Sequence, residues 1–178
     1  MMDHHVTLVL GGARSGKTRH GMTLAEQYRA TGLQTIYVAT AEPHDDEMRD
    51  RINLHKQERD ALWTTIDAPL NLAATISAHS STKTCLLVDC LTLWATNLLL
   101  GNNDIKAETS KLLMQLNTAS GPVILVSNEV GLGIVPDNAL ARRFRDIAGR
   151  LNHDVAAAAD RVIFVAAGLP LVLKGQSD

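Results

Sequence analysis

The chain has 178 residues, 46% of them hydrophobic and 20% charged, enough for one globular domain with an adequate core. Its 17 basic and 19 acidic residues give a net charge of −2 without long blocks of either sign, which argues against a surface built to coat nucleic acid. The N-terminus Met-Met-Asp-His-His carries no basic region ahead of a long apolar one, and the Leu-rich run from Leu86 to Leu100 is interrupted by Asp89, Thr92 and Asn97, so neither a leader peptide nor a membrane span is expected and the cytoplasm is.

The first informative stretch is Val6 to Leu10, an apolar run that reads as a strand. It leads directly into Gly11-Gly12-Ala13-Arg14-Ser15-Gly16-Lys17-Thr18. This octet fits G-x-x-x-x-G-K-[ST], and Lys17 to Thr31 after it is compatible with a helix ending at Gly32, a suitable left-handed residue. Strand, glycine loop and helix thus come in the order that a phosphate cradle requires. Glycines permit the turn that aims several N–H groups at one anion, and the helix presents its positive end to the same anion. Lys17 is expected to reach the outer phosphates and the Thr18 hydroxyl to ligate Mg²⁺, so a nucleoside triphosphate is the first expected ligand.

Gln34 to Ala39 reads as a second strand, with Ala39, Thr40 and Ala41 at its carboxyl end, where an open parallel sheet gathers its ligands. His44 to Arg59 opens acidic and closes basic, as a helix macrodipole favours. At 100° per residue, Met48, Ile52, His55 and Arg59 share one stripe, which aims His55 inward. On spacing alone, His55 is as consistent with a boundary histidine as with a chemical group. Trp63 to Asp67 is a short extended piece, Pro69 to Ala78 a helix, and Ser77 to Thr84 a polar link.

Cys85 to Val88 fits a strand buried on both faces and closed by Asp89, a position suited either to a Mg²⁺-directed carboxylate or to the cap of the next helix. Cys85 and Cys90 have neither C-x-x-C spacing nor paired histidines and read as buried thiols. A helix around Trp94 stops at Gly101, and a second carries Ile105, Leu112 and Leu116 toward the core. Val123 to Ser127 is a further strand. Asn128 and Glu129 follow at the ligand edge, in a loop with two glycines that serves either a ligand or a tight bend.

From Asn138 to Ala159 runs a long helix whose buried face is expected to hold Leu140, Phe144, Ile147, Leu151 and Val155. The opposite face gathers Arg142, Arg145, Asp146, Gly149 and His153. Gly149 costs that helix about 1 kcal/mol relative to Ala, which a closely approaching ligand or subunit would justify. Strands at Val162 to Ala166 and Leu171 to Lys174 close the chain. The alternation predicts a single three-layer α/β domain over residues 1–178 with a mostly parallel sheet, of the P-loop NTPase, RecA-like kind.

With these pieces placed, the chain resembles the bifunctional cobinamide kinase and cobinamide-phosphate guanylyltransferase family of cobalamin biosynthesis. The resemblance rests on GGARSGKT (Gly11 to Thr18), YVATAE (Tyr37 to Glu42), DDEMRDRINLHKQER (Asp45 to Arg59), LVDCLTLWATNLL (Leu87 to Leu99) and NEVGLGIVPDNALARRFRDIAGRLN (Asn128 to Asn152). It implies phosphorylation of the aminopropanol hydroxyl of adenosylcobinamide with ATP or GTP. GMP transfer from GTP onto that phosphate would follow, through a guanylyl-histidine whose matching position is His55. It further implies GTP contacts at Ala39, Thr40, Ala41, Lys56, Gln57, Glu58, Arg59 and Asp67, a metal-directed acid at Asp89, and a cytoplasmic homo-oligomer, commonly a trimer. Asp67 and His153 stand where the family often has Glu and Gln. A kinase without the transferase half, or a nucleotide-dependent switch, are the alternatives. The chain has no N-K-x-D guanine signature to favour the switch.

Overall fold

The computed structural model describes residues 5–42 and 62–176. In chain order the elements are β1 (Val6–Gly11), α1 (Lys17–Ala30), β2 (Gln34–Ala39), β3 (Trp63–Asp67), α2 (Leu72–His79), β4 (Thr84–Asp89), α3 (Leu91–Leu100), α4 (Ile105–Thr118), β5 (Val123–Asn128), α5 (Ala139–Ala158), β6 (Arg161–Ala166) and β7 (Leu169–Lys174). The seven strands form one sheet in the order β3-β2-β4-β5-β1-β6-β7. All pairs are parallel except β6 with β7, which run antiparallel.

Strand alternation divides the core into two layers, because successive side chains of a strand leave opposite faces. On one face Val9, Tyr37, Leu87, Ile124 and Ile163 pack with Leu24, Ala25 and Tyr28 of α1. On the other, Leu8, Leu10, Val38, Leu86, Val88 and Leu125 meet Leu72 and Ile76 of α2, Trp94 and Leu98 of α3, Leu112 and Leu116 of α4, and Leu151 and Val155 of α5. Both sheet faces are therefore dry, which is why the central strands are apolar throughout rather than alternating. Trp94 is fully buried, and its indole N–H donates to the Leu70 carbonyl at 2.9 Å, so the ring is packed without an orphaned donor.

The helix ends follow local chemistry. Gly32 takes φ +99° after α1, and its N–H donates to the Arg29 carbonyl. Asp104 caps α4 by accepting from the Ala107 N–H at 3.0 Å, and Asn138 caps α5 by accepting from the Ala141 N–H at 2.7 Å.

Trp63 to Asp67, expected as a short extended piece, is an edge strand paired along its length with β2. Two expectations need correction. Pro69 lies ahead of α2, which begins only at Leu72 after Asn71 and continues to His79, into what the sequence marks as a link. Leu140 is 56% exposed, whereas Leu151 and Val155 farther along the same helix are buried in the core. At Gly149 there is open space among the described residues, with nothing within 4 Å of a hypothetical Cβ. The expected helix from His44 to Arg59 lies outside the described residues, and His55, Lys56, Gln57, Glu58 and Arg59 with it.

Candidate active site

The octet Gly11 to Thr18 sits at the carboxyl edge of the sheet, between the end of β1 and the start of α1. Three backbone features shape it. Arg14 and Gly16 take positive φ values of 56° and 93°, which turn successive N–H groups toward one side, as an anion nest requires. The Ser15 N–H donates to the Gly12 carbonyl at 3.2 Å. Gly11 is held so tightly that a Cβ there would lie 2.3 Å from Ser15 Oγ and 2.6 Å from the Val165 carbonyl.

A brace comes from the far end of the chain. The Gly168 N–H, in the β6–β7 turn, donates to the Ser15 carbonyl at 2.9 Å, and the Gly168 Cα lies 3.5 Å from where a Cβ on Gly16 would be. On the other side the Glu129 N–H donates to the Gly11 carbonyl at 3.0 Å. The loop is thus clamped between β5 and the last hairpin. Ser15 Oγ is buried without a hydrogen-bond partner among the described residues, an orphan whose natural complement is an acceptor entering the loop.

Lys17 opens α1 and is 8% exposed, its Nζ donating to the Gly12 carbonyl at 3.0 Å. Burial lowers its pKa from the usual lysine value, while Cys90 and Asp89 pull it back up. Burial pushes the Cys90 thiol up to about 12, so near neutral pH that group carries no charge and Asp89 is the working counter-charge of the lysine. The expected buried thiols are found: Cys85, also raised to about 12 by burial, and Cys90 are free and enclosed. The strand-end acid therefore acts on the loop lysine through its charge, while the lysine's hydrogen bond goes to the loop's own Gly12 carbonyl.

Asp89 ends β4, and Ala39 is paired with it on one side and with Asp67 on the other. The row Asp67, Ala39, Asp89 runs along the carboxyl edge with neighbours about 4.8 Å apart. Asp67 is exposed and Asp89 half-buried. The capping alternative for Asp89 is not what the structure contains: α3 starts after Cys90 and has no side-chain cap. Thr40, by contrast, is wholly enclosed. Its hydroxyl donates to the Cys90 carbonyl and accepts from the Cys90 N–H, both at 2.7 Å, and its carbonyl accepts from Asn97 Nδ2. Thr40 thus builds the edge from within, leaving Ala39 and Ala41 as the half-exposed members of that trio.

Two groups here were not legible as site residues. The Tyr37 hydroxyl donates to Asp89 Oδ2 at 2.8 Å. Beneath Asn128 lies a buried polar chain: Ser127 Oγ donates to Asn152 Oδ1 at 2.7 Å, Thr92 and Ser127 hydroxyls meet at 3.2 Å, the Asn128 N–H donates to Thr92 Oγ1 at 2.7 Å, and Asn152 Nδ2 donates to the Asn128 carbonyl at 3.2 Å. It fixes the strand end that delivers Asn128 and Glu129. The spacing of Thr92, Ser127 and Asn152 betrays nothing of this, since the three come from separate elements.

For Mg²⁺, Thr18 at the first turn of α1 and Asp89 supply a hydroxyl and a carboxylate, hard oxygen donors of the right kind. Among the described residues there is no group of three or more His, Cys, Asp or Glu that could hold a metal. No described helix is long and apolar enough to cross a membrane.

The sequence pattern of the cobinamide kinase / cobinamide phosphate guanyltransferase family matches residues 7–173, nearly the whole chain. The chain belongs to that family. It is 48% identical over 171 residues to the bifunctional adenosylcobalamin biosynthesis protein CobP of Pseudomonas aeruginosa, covering 95% of this chain and 97% of that protein. The bifunctional adenosylcobalamin biosynthesis protein CobU of Salmonella typhimurium is 42% identical over 182 residues, with coverages of 94% and 98%. In fold the chain is similar to the flagellar accessory protein FlaH of Methanocaldococcus jannaschii, with a TM-score of 0.53 at 12% identity over 97% of this chain and 79% of that one. That likeness concerns architecture alone, a RecA-like α/β sheet. As a member of that family it is a bifunctional adenosylcobinamide kinase and guanylyltransferase of cobalamin biosynthesis.

Proposed function

We propose that this edge holds one triphosphate for two successive reactions on one substrate. In the first, the terminal hydroxyl of the aminopropanol arm of adenosylcobinamide attacks the γ-phosphorus of ATP or GTP in line, and the nucleoside diphosphate leaves. The burden on the protein is placement and charge: loop N–H groups and Lys17 hold the phosphates while charge spreads over their oxygens. Mg²⁺ held through Thr18 and Asp89 supplies further neutralisation of that charge.

In the second, a ring nitrogen of His55 forms a bond to the α-phosphorus of GTP as the bond to the β-phosphate oxygen breaks, releasing pyrophosphate. A phosphate oxygen of adenosylcobinamide phosphate then displaces the imidazole and yields adenosylcobinamide-GDP. A neutral imidazole is nucleophilic without a separate base. Lys56, Gln57, Glu58, Arg59 and Asp67 are assigned to the nucleotide with Ala39 and Ala41. What supports this reading is the nest-shaped glycine loop with the enclosed Lys17 at the carboxyl edge of the sheet, in a chain of this family.

The test is incubation with α-labelled and with γ-labelled GTP. Retention of the α-label alone, in an acid-labile bond that His55→Ala abolishes, is the expected result; no covalent α-label would leave a kinase without the transferase half. The protein is further assigned to the cytoplasm, where its nucleotides are, and to a homo-oligomer, a trimer by family resemblance. Support for association comes from apolar side chains in solvent: Leu132 is 82% and Ile134 96% exposed beyond β5, and Leu169, Leu171 and Leu173 of the edge strand β7 are 73%, 59% and 58% exposed.

A further inference from the structure

The backbone around Asp89 is fixed before its side chain is considered. The Thr40 N–H donates to the Asp89 carbonyl at 3.2 Å, and the Thr40 hydroxyl both accepts from and donates to the backbone of Cys90 at 2.7 Å. What stays free is rotation of the carboxylate, and the outer torsion of an aspartate is broad, so a fixed backbone alone does not aim its oxygens. Tyr37 supplies the missing constraint. It lies on the adjacent strand β2, is 4% exposed, and stands edge-on to Trp63 of β3 with ring centroids 6.2 Å apart and planes at 82°. A ring so enclosed has little freedom, and its hydroxyl donates to Oδ2 at 2.8 Å. Among the described residues no other hydrogen bond reaches the carboxylate, which leaves Oδ1 as the uncommitted oxygen.

We propose that Tyr37 is the positioning residue of the metal-directed acid: its hydroxyl ties down Oδ2 of Asp89 and so presents Oδ1 in one orientation to the cation that accompanies the nucleotide. The inference rests on the assignment of Asp89 to that cation. A chain of contacts from the sheet edge, Trp63 to Tyr37 to Asp89, then sets how readily magnesium joins the bound nucleotide. Removal of the hydroxyl lets the carboxylate rotate and form the wrong partners in water, which raises the magnesium concentration needed without touching the phosphate cradle itself.

The test measures GDP binding to the full chain by calorimetry, in EDTA and across a magnesium series, for the native protein, Tyr37→Phe and Asp89→Asn. Phenylalanine keeps the ring against Trp63 and removes only the donor. Expected for Tyr37→Phe is an unchanged affinity in EDTA and a roughly three- to tenfold higher magnesium midpoint, the loss of one hydrogen bond to a charged acceptor. Asp89→Asn should abolish most of the magnesium dependence. If Asp89→Asn keeps the native midpoint, the assignment of the acid itself fails. If Asp89→Asn loses the dependence while Tyr37→Phe titrates like the native protein, the acid stands and the role of Tyr37 is overturned. A Tyr37→Phe protein with lower affinity in EDTA and a lower melting temperature, but a native magnesium midpoint, would reduce Tyr37 to packing and overturn it equally. Direct coordination offers a second readout: Mn²⁺ bound with GDP should give a broader set of electron paramagnetic resonance environments in Tyr37→Phe, and an identical spectrum would contradict the proposal.

Discussion

Individual side chains decide the chemistry of the edge, and Lys17 is the most consequential. Its ammonium is nearly enclosed, bonded to the loop's own Gly12 carbonyl, and balanced by Asp89. Lys17→Ala removes the one enclosed cation of the described loop. We expect triphosphate affinity to fall about ten- to a hundredfold in both half-reactions, read by nucleotide titration, and equal activity in either would break the shared-cradle account. The two thiols give a prediction of a different kind. Burial raises both from 9.0 to about 12, so between those values the unfolded chain releases protons that the folded one retains. Fewer protons on the unfolded state means stability falls as pH rises, by up to about 1.4 kcal/mol per pH unit for each thiol. Urea melts between pH 8 and 11 should show this slope in the native protein and its loss in Cys85→Ala/Cys90→Ala. The places of Lys17 and Thr18 at the start of a helix and of Asp89 at a strand end could be read from spacing, because phosphate chemistry imposes residue types at fixed offsets from a strand. Tyr37 and Asn152 could not, because a hydrogen bond to a neighbour on another strand leaves no periodic trace.

At the level of elements, apolar runs and caps carried the most information. The bounds of β2 could be read directly, and Gly32 and Asn138 mark helix ends through local backbone and capping chemistry. Legibility failed where solvent replaced a packing partner. Leu140 falls on the correct stripe of α5, yet it is exposed, and periodicity reports which way a residue faces rather than whether anything lies there. The start of α2 was misplaced for a related reason: Pro69 suits a first turn, but its carbonyl and that of Leu70 are taken by Asn97 Nδ2 and Trp94 Nε1, and the helix begins after them. The tightest joint is at Gly11. Gly11→Ala forces a Cβ against the Val165 carbonyl, a backbone atom that cannot swing away, so the strand-to-loop junction must shift. Loss of nucleotide binding with a drop in stability of about 1–3 kcal/mol is the expected outcome in paired calorimetry and denaturant melts. A native-like result would mean that β1 and β6 are less firmly registered than they look.

For the molecule as a whole, the sheet order places the glycine loop between β5 and β6 and the acid on β4, with α1 packed on one face. An open edge remains at β7, whose alternate leucines face solvent. Leu171→Glu tests whether a second copy covers it: light scattering should show dissociation with the α1-side core intact, and an unchanged assembly would remove β7 from the contact. Such association is beyond what one sequence can express, since the same exposed leucine is written identically whether or not a neighbour covers it. Connectivity has its own consequence in time. The Gly168 amide that steadies Ser15 belongs to the final hairpin, so a chain emerging from the ribosome makes its nucleotide loop first and receives the clasp for that loop almost last. Truncation after Ala166, which removes Gly168 with β7, should therefore be felt at the opposite end of the gene product: a protein that still builds its central strands, yet has lost its grip on GTP.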